Sequence, residues 1–434
     1  MSEQQKEMTR RDFVQTGSTA IAAMTAAGIA PSVGAVGANE RINIGVIGCG
    51  GISNHHVEML GAIKDSDNCD IITNFDVYGK RAEDYSDHVN QKFGHPSKVC
   101  KSMDEVLENK DVDKVLIATP EHQHFNNANK TLDAGKKNIY LEKPMCQTAD
   151  QSGALMKRVL DEGAIVQIGV HTASDDVYLA ARDAMRDGKL GMILQAQIDY
   201  CRHYYTRGPW RSEDKTGDPK PDSLDWQAWL GPAPKVPWDA RRYFNWRCYW
   251  DYSGGIATDL FIHRITRLIK ALELEEPDYG MGYGDIYLWD DGRDIPDNYQ
   301  MALKYPNKGP MIYVLGTMSN KYGLMHCIRG DKATLVFEEP GFKIYTEDNA
   351  NEGNKEYGKC IETYERKLTG GDDAFYQGNH INHHAAIRSG STKDLNCPVT
   401  LGHYAVAAVN VANEGYRANK LMKWDQASQT IKPA

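Results

Sequence analysis

Two glycines one residue apart, a carboxylate closing the next apolar run, and an aspartate–histidine pair are the parts of this sequence that could carry chemistry. Gly48-Cys49-Gly50-Gly51 follows the apolar run Ile42 to Ile47 and precedes a helical pattern through His56, Met59 and Leu60. In that setting Gly48, Gly50, Gly51 and Ile52 let backbone approach a pyrophosphate, which the helix's unpaired N–H groups and positive end favour. The third position of the fingerprint is Ser53, small but neither glycine nor alanine. Asp76 closes the run Cys69 to Phe75, where a carboxylate can accept from both hydroxyls of a ribose. A 2′-phosphate would meet like charge there, so Asp76 points to NAD, while the nearby Arg81 leaves NADP as the lesser option. Asp259 and His263 are four apart and share one face of a helix, which the spacing of Ile262, Ile265, Ile269 and Leu272 supports. An imidazole, titrating near 6.5, suits proton transfer at neutral pH.

These groups need a scaffold that brings them together. From Arg41 onward strand and helix alternate: strands at 42–47, 69–75, 114–118, 138–141 and 164–169, with helices between them. Ser102 to Glu105 and Thr148 to Gln151 have capping-box spacing, and Gly135 and Gly163 sit where left-handed caps end helices. This period predicts an α/β fold, an N-terminal Rossmann-type doubly wound parallel sheet. After about His171 the pattern changes. A helix over 174–187 is followed by strands at 190–200, 281–288, 298–305, 310–317, 323–329 and 333–338 with few helices between, which predicts a C-terminal α+β domain with a large, mostly antiparallel open sheet. The resulting division is 1–38, 39–170 and 171–434.

Further motifs sharpen the reading. Ala118-Thr119-Pro120-Glu121-His122-Gln123-His124, Glu142-Lys143-Pro144, Gln167-Ile168-Gly169-Val170-His171 and Asp251-Tyr252-Ser253-Gly254-Gly255 with Asp259 and His263 stand in order after the glycine turn. Together they resemble the glucose–fructose oxidoreductase / inositol dehydrogenase / MocA (Gfo/Idh/MocA) family over nearly all of residues 40–425. The resemblance implies a nicotinamide enzyme acting on a hydroxyl of a sugar, polyol or glycoside. It places Lys143 between cofactor and hydroxyl, His263 as general acid/base, Asp259 as a substrate-binding or orienting group, and Glu142 at the nicotinamide ribose. It also places Thr119, Pro120 and His124 on the cofactor, His171 on the substrate, and an oligomer contact on the open sheet. Glu121 departs from the asparagine common after Thr-Pro, which alters the contacts near the nicotinamide. The chemistry fits: oxidising a secondary alcohol removes a hydride and a proton, so a base and a cation are needed beside the nicotinamide.

Residues 201–252 hold six of the eight tryptophans (Trp210, Trp226, Trp229, Trp238, Trp246 and Trp250) among several arginines. Two readings stand side by side: a wall on which sugar rings stack, or a long loop's own small core. Arg207 and Trp210 are the residues assigned to the substrate side. His380, His383 and His384 share a helical face but lack an HExxH carboxylate, so no metal is expected.

The first 38 residues read as an address. Thr9-Arg10-Arg11-Asp12-Phe13-Val14 precedes a mild, alanine-rich run too short to span a bilayer, and Val36-Gly37-Ala38 offers a cleavage site. This resembles a twin-arginine export signal, which predicts a periplasmic or otherwise extracytoplasmic protein that folds, cofactor included, before export. No stable membrane insertion is expected. The 434 residues are 41% hydrophobic with a net charge of −9. Such a chain buries ordinary cores, and a nucleic acid would be repelled. Nine cysteines without a CxxC are neither a disulfide framework nor a zinc ribbon. The expectation is therefore an exported oxidoreductase with tightly held NAD, the alternatives being redox-assisted glycoside cleavage and a sugar-binding protein without catalysis.

Overall fold

A computed structural model describes residues 40–204, 210, 215–347 and 358–434. The leading segment and Arg207 lie outside them. Six strands, β1 (Ile42–Ile47), β2 (Cys69–Phe75), β3 (Lys98–Val99), β4 (Lys114–Ile117), β5 (Asn138–Leu141) and β6 (Ile165–Ile168), form one sheet in the order β3-β2-β1-β4-β5-β6. Every pairing in it is parallel, so all six strands end on the same edge. Helices α1 (Gly51–Ile63), α2 (Gly79–Phe93), α3 (Met103–Leu107), α4 (Glu121–Asp133) and α5 (Ala149–Glu162) make the crossovers. The expected caps form by halves. Ser102 accepts from Glu105 N, but Glu105 reaches back to Lys101 N instead of Ser102 N; Thr148 accepts from Gln151 N, and the Gln151 carbonyl oxygen has no partner.

After α6 (Asp176–Arg186) comes β7 (Ile193–Cys201), then the short helices α7 (Trp226–Leu230) and α8 (Ala240–Phe244), then α9 (Ile262–Leu272). Strands β8 (Tyr279–Asp285), β9 (Asn298–Lys304), β10 (Met311–Thr317), β11 (Cys327–Gly330), β12 (Ala333–Glu338), β13 (Gly341–Thr346) and β14 (Cys360–Glu365) follow. The chain closes with α10 (Gly371–Ser389), α11 (Val399–Ala418), β15 (Met422–Asp425) and β16 (Thr430–Pro433). The second sheet has ten strands in the order β14-β13-β12-β11-β7-β10-β9-β8-β15-β16, antiparallel except where β7 meets β10. The sequence pattern misses β13 to β16: β14 alternates only between exposed and half-buried residues, so its apolar period is faint.

Two features place the site. First, α9 is preceded by a turn of π-helix, Ala257–Phe261, where the spacing predicts plain α-helix. The wider turn carries Asp259 and feeds directly into His263. Second, α10 and α11 return to the parallel sheet, and an isolated bridge ties Pro398 to Gln167 in β6. One apolar core therefore runs from Ile117 and Leu141 through Leu260 and Ile265 to Val406.

Candidate active site

A cavity of about 1020 Å³ opens where the six parallel strands end, with the nucleotide-side turn on one wall and α9 and β7 on the other. Gly48, with φ +89°, forms the floor of the turn: a Cβ there would lie 2.8 Å from Thr119 N and 2.9 Å from the Ala118 carbonyl. Gly50 and Gly51 face open space, and a Cβ on either meets nothing within 4 Å. Gly50 is also the N-cap of α1, and no side chain caps the helix. Its first N–H groups, Ile52 among them, are thus left to an anion in the cavity.

Asp76 stands beside this turn with its two oxygens fixed by the Cys49 and Tyr78 backbone N–H groups, each at 2.8 Å. Burial pushes its carboxyl up, and Arg81 opposes that. Arg81 itself lies over the rings of Tyr78 and Tyr243, 5.4 and 5.5 Å from their centres. The open glycine turn, the uncapped helix and the fixed carboxylate fit a dinucleotide with a free ribose diol. Asp76→Ser is expected to weaken NADH binding about tenfold, roughly 1.4 kcal/mol, and to narrow the preference over NADPH. Fluorescence titration with both nucleotides checks this.

Thr119, Pro120, Glu142 and Lys143 also line the cavity. His124, placed on the cofactor by the sequence, is buried behind the wall. Its ring nitrogens face the Pro144 and Thr119 carbonyls at 2.6 and 2.8 Å, so it braces the two strand ends.

The opposite wall gathers the reactive groups. Lys143 Nζ donates to the Asp259 carbonyl at 2.8 Å and to Asp259 Oδ1 at 2.9 Å. Arg247 Nε donates to the same oxygen at 3.0 Å, and Trp210 Nε1 donates to Oδ2 at 2.6 Å. Burial alone would raise the Asp259 carboxyl, yet Arg247 and Lys143 hold it well below the usual carboxylate range. His263 is pushed well below its usual value by burial, then by Lys143 and His171, so it is a neutral imidazole at neutral pH. Its Nδ1 is buried with no hydrogen-bond partner. His171 packs 4.9 Å from His263 and stacks at 4.0 Å on Tyr376. Burial and Lys143 push His171 down to about 3.

Arg247 and Tyr376 are site residues to which the sequence reading gave no role. Arg247 carried a faint signal as one arginine of the aromatic stretch, whereas Tyr376 comes from α10, more than a hundred residues from the other motifs. The aromatic stretch itself divides between its two readings. Trp226, Trp229, Trp238, Tyr243 and Tyr252 pack on one another as a small core, with Trp226 and Trp229 stacked at 4.9 Å. Trp210, Trp229 and Trp246 reach the cavity.

Glu121, the departure from the family pattern, joins the two walls. Its carboxylate accepts from Ser253 Oγ at 2.8 Å, Gly254 N at 3.1 Å and Thr258 Oγ1 at 2.7 Å. It thereby holds the π-turn that carries Asp259. Burial, then the Asp259 charge, raises its carboxyl from 4.5 to about 7. The folded protein therefore keeps a proton that the unfolded chain releases above pH 4.5. Stability from this group is present below that pH and falls as pH rises to 7, by about 3 kcal/mol. Glu121→Gln is expected to remove that slope, so the difference in stability between the two proteins changes by about this amount over the same window. Denaturant unfolding at pH 4.5 and 7 checks it.

Among the described residues one trio with metal-ligand atoms, Asp67, Cys69 and His384, lies within 4.8 Å. Its donors are already taken: Asp67 accepts from His384 and Arg388, and His384 Nε2 faces the Lys114 ammonium. All nine cysteines are free thiols, and no helix of the described residues is long and apolar enough to cross a membrane.

Comparison with known proteins agrees with this geometry. Residues 42–170 match an oxidoreductase family's NAD-binding Rossmann fold, and residues 178–275 match its C-terminal alpha/beta domain. The chain is 23% identical to a scyllo-inositol 2-dehydrogenase (NADP+) of Bacillus subtilis, over 41% of this chain and 47% of the relative. It is 26% identical to an inositol 2-dehydrogenase of Rhizobium meliloti, over 36% of this chain and 44% of the relative. The matched curated relatives are thus spanned over less than half their length, 29% in one case. A levoglucosan dehydrogenase solved with NADH superposes with a TM-score of 0.65 at 17% identity, covering 89% of this chain and all of that one. GenD2 from gentamicin A biosynthesis, solved with NAD, superposes with a TM-score of 0.63 at 15% identity, covering 92% and 99%. At that identity the structures share the fold.

Proposed function

This chain belongs to the Gfo/Idh/MocA oxidoreductases, and on that premise we propose that it moves a hydride between tightly held NAD and a secondary hydroxyl or ketone of a sugar, polyol or glycoside. One observation carries the reading: Lys143, Asp259 and His263 converge on one wall of a cavity whose other wall is an open glycine turn beside a fixed carboxylate. Gly48, Gly50, Gly51, Ile52 and Asp76 would hold the nucleotide, and the nicotinamide supplies the hydride acceptor or donor when bound.

The chain's own residues do the rest. Asp259, ionised across the physiological range, fixes the Lys143 ammonium, which is the cation beside the reacting oxygen. His263, kept neutral by burial, takes the hydroxyl proton when alcohol becomes ketone and returns it in the reverse direction. Trp210 and Trp246 give the sugar an aromatic face, and Arg247 sets the charge balance. Asp76 favours NAD over NADP. The register of the second sheet aligns Met281, Ala302 and Tyr313, and next to them Tyr283, Gln300 and Leu315, on its open face, a surface suited to another subunit. The paired arginines of the leading segment support export through the twin-arginine route.

The test incubates the purified, nucleotide-loaded protein with a panel of sugars, polyols and glycosides while nicotinamide absorbance is followed. At least one substrate should change it. Protein that carries and binds no nucleotide, or no response from any compound, overturns the reading.

A further inference from the structure

A line of buried titratable side chains, unused by the chemistry above, crosses the parallel sheet from edge to edge. It begins at Glu142, which follows the last residue of β5 and lines the same cavity as Lys143 and His263. His56 Nε2 of α1 lies 3.0 Å from Glu142 Oε1, and His56 Nδ1 lies 2.9 Å from His380 Nε2 of α10. His380 Nδ1 lies 3.1 Å from Lys114 Nζ, and Lys114 Nζ lies 2.9 Å from His384 Nε2. His384 Nδ1 meets Asp67, which also binds Arg388 at 2.7 Å. Lys114 is the first residue of β4, so it sits toward the edge opposite the cavity, and Arg388 is 18% exposed there. His380, His384 and Arg388 recur every four residues along α10, a polar stripe facing the sheet.

Burying an ammonium in a central strand is costly, and an apolar residue would pack on the Tyr140 ring that lies 5.1 Å from Lys114 Nζ. With Lys114 as an ammonium, one proton arrangement satisfies the whole line. Lys114 donates to His380 and to His384; His380 donates onward to His56, His56 to Glu142, and His384 to Asp67. Each N–H points away from Lys114 toward a carboxylate.

We propose that this line is a proton conduit, in which Lys114 accepts the proton released in the cavity through Glu142, His56 and His380, and returns it when the reaction runs in reverse. The proposal rests on the oxidoreductase reading above. The inward step balances. His263 gives up the proton it took from the hydroxyl to Glu142 through the cavity that both line. With Glu142 thus protonated and Lys114 as the neutral amine, the Glu142 O–H proton passes to His56 Nε2, the His56 Nδ1 proton to His380 Nε2, and the His380 Nδ1 proton to Lys114 Nζ. Three bonds to hydrogen break and three form, leaving a Glu142 carboxylate and a Lys114 ammonium, and nothing is oxidised. Reversing the step restores both imidazoles, so alternating oxidation and reduction on a resident cofactor needs no ring to turn. Beyond Lys114 the line continues through His384 to Asp67, which Arg388, a permanent cation, holds in place on the far side.

The setting of Lys114 suits a proton store. Burial lowers it to about 7, Cys69 and Asp67 raise it, and Arg388 lowers it further. His380, His383 and His384 also face it, and burial together with Lys114 keeps all three neutral. The amine and ammonium forms are then both populated at neutral pH.

The experiment follows the two half-reactions separately by nicotinamide absorbance from pH 6 to 8, in the full-length nucleotide-loaded protein. Oxidation of substrate needs the Lys114 amine and should quicken about tenfold across this range, while reduction needs the ammonium and should slow by about the same factor. Lys114→Met should abolish both slopes. His56→Gln is the second variant: a glutamine can still donate to Glu142 and accept from His380, but it cannot relay a proton, and it too should flatten both. Folded variants that keep the opposed slopes overturn the conduit while the oxidoreductase reading stands; should Lys114→Met fail to fold, His56→Gln alone decides. Absence of hydride transfer in the unaltered protein overturns both.

Discussion

Lys143→Ala is expected to slow hydride transfer by about a thousandfold. In the proposed mechanism the ammonium stands beside the reacting oxygen, and removing a single preorganised donor from such a site typically costs about 10²–10³ in rate. Asp259 keeps Arg247 and Trp210 as partners, so the wall should remain folded. The loss therefore belongs in kcat, with nucleotide affinity changed much less. Single-turnover absorbance with a responsive sugar, beside a nucleotide titration, separates the two.

Asp259→Asn is expected to be nearly as damaging for a different reason. Asp259 is the shared counter-charge of Lys143 and Arg247, both drawn to one carboxylate oxygen. Its neutralisation leaves two cations facing each other across a buried wall, and breaking a buried pair from one side costs about 3–5 kcal/mol. Both activity, by about a hundredfold or more, and the midpoint of thermal unfolding should fall. Thr258 and Glu121 keep the π-turn in place, so the distortion should remain local. Parallel kinetics and thermal melts of the variant and the parent check it.

Much of the nucleotide side was legible in the sequence because it is local. A strand, two glycines and a helix lie within about twenty residues, and Asp76 ends the next strand, so spacing alone dictates where they meet. The same holds for Asp259 and His263, although the π-turn between them was not foreseen; it depends on Glu121 holding Ser253, Gly254 and Thr258 from the other half of the chain. Long-range partners left weaker traces. Tyr376 reaches His171 only because α10 folds back over the parallel sheet. His124 carries the right motif, yet its ring is buried between two carbonyls. The histidines of α10 share a helical face with no metal expected, and the sequence assigns them no other role, because their partners, His56 and Lys114, come from more than 260 residues earlier. A lysine opening an otherwise apolar strand was the trace that could have revealed them. The tryptophan-rich stretch left two readings open because composition does not say which rings turn inward; the fold uses both.

The most direct test of the hydride-transfer account is a structure of the protein with NADH bound. The account predicts the pyrophosphate on the backbone of Gly50 to Ile52, the adenosine ribose on Asp76, and the nicotinamide C4 turned toward Lys143 and His263. A nucleotide lodged elsewhere, or a nicotinamide whose C4 faces away from both residues, would contradict it.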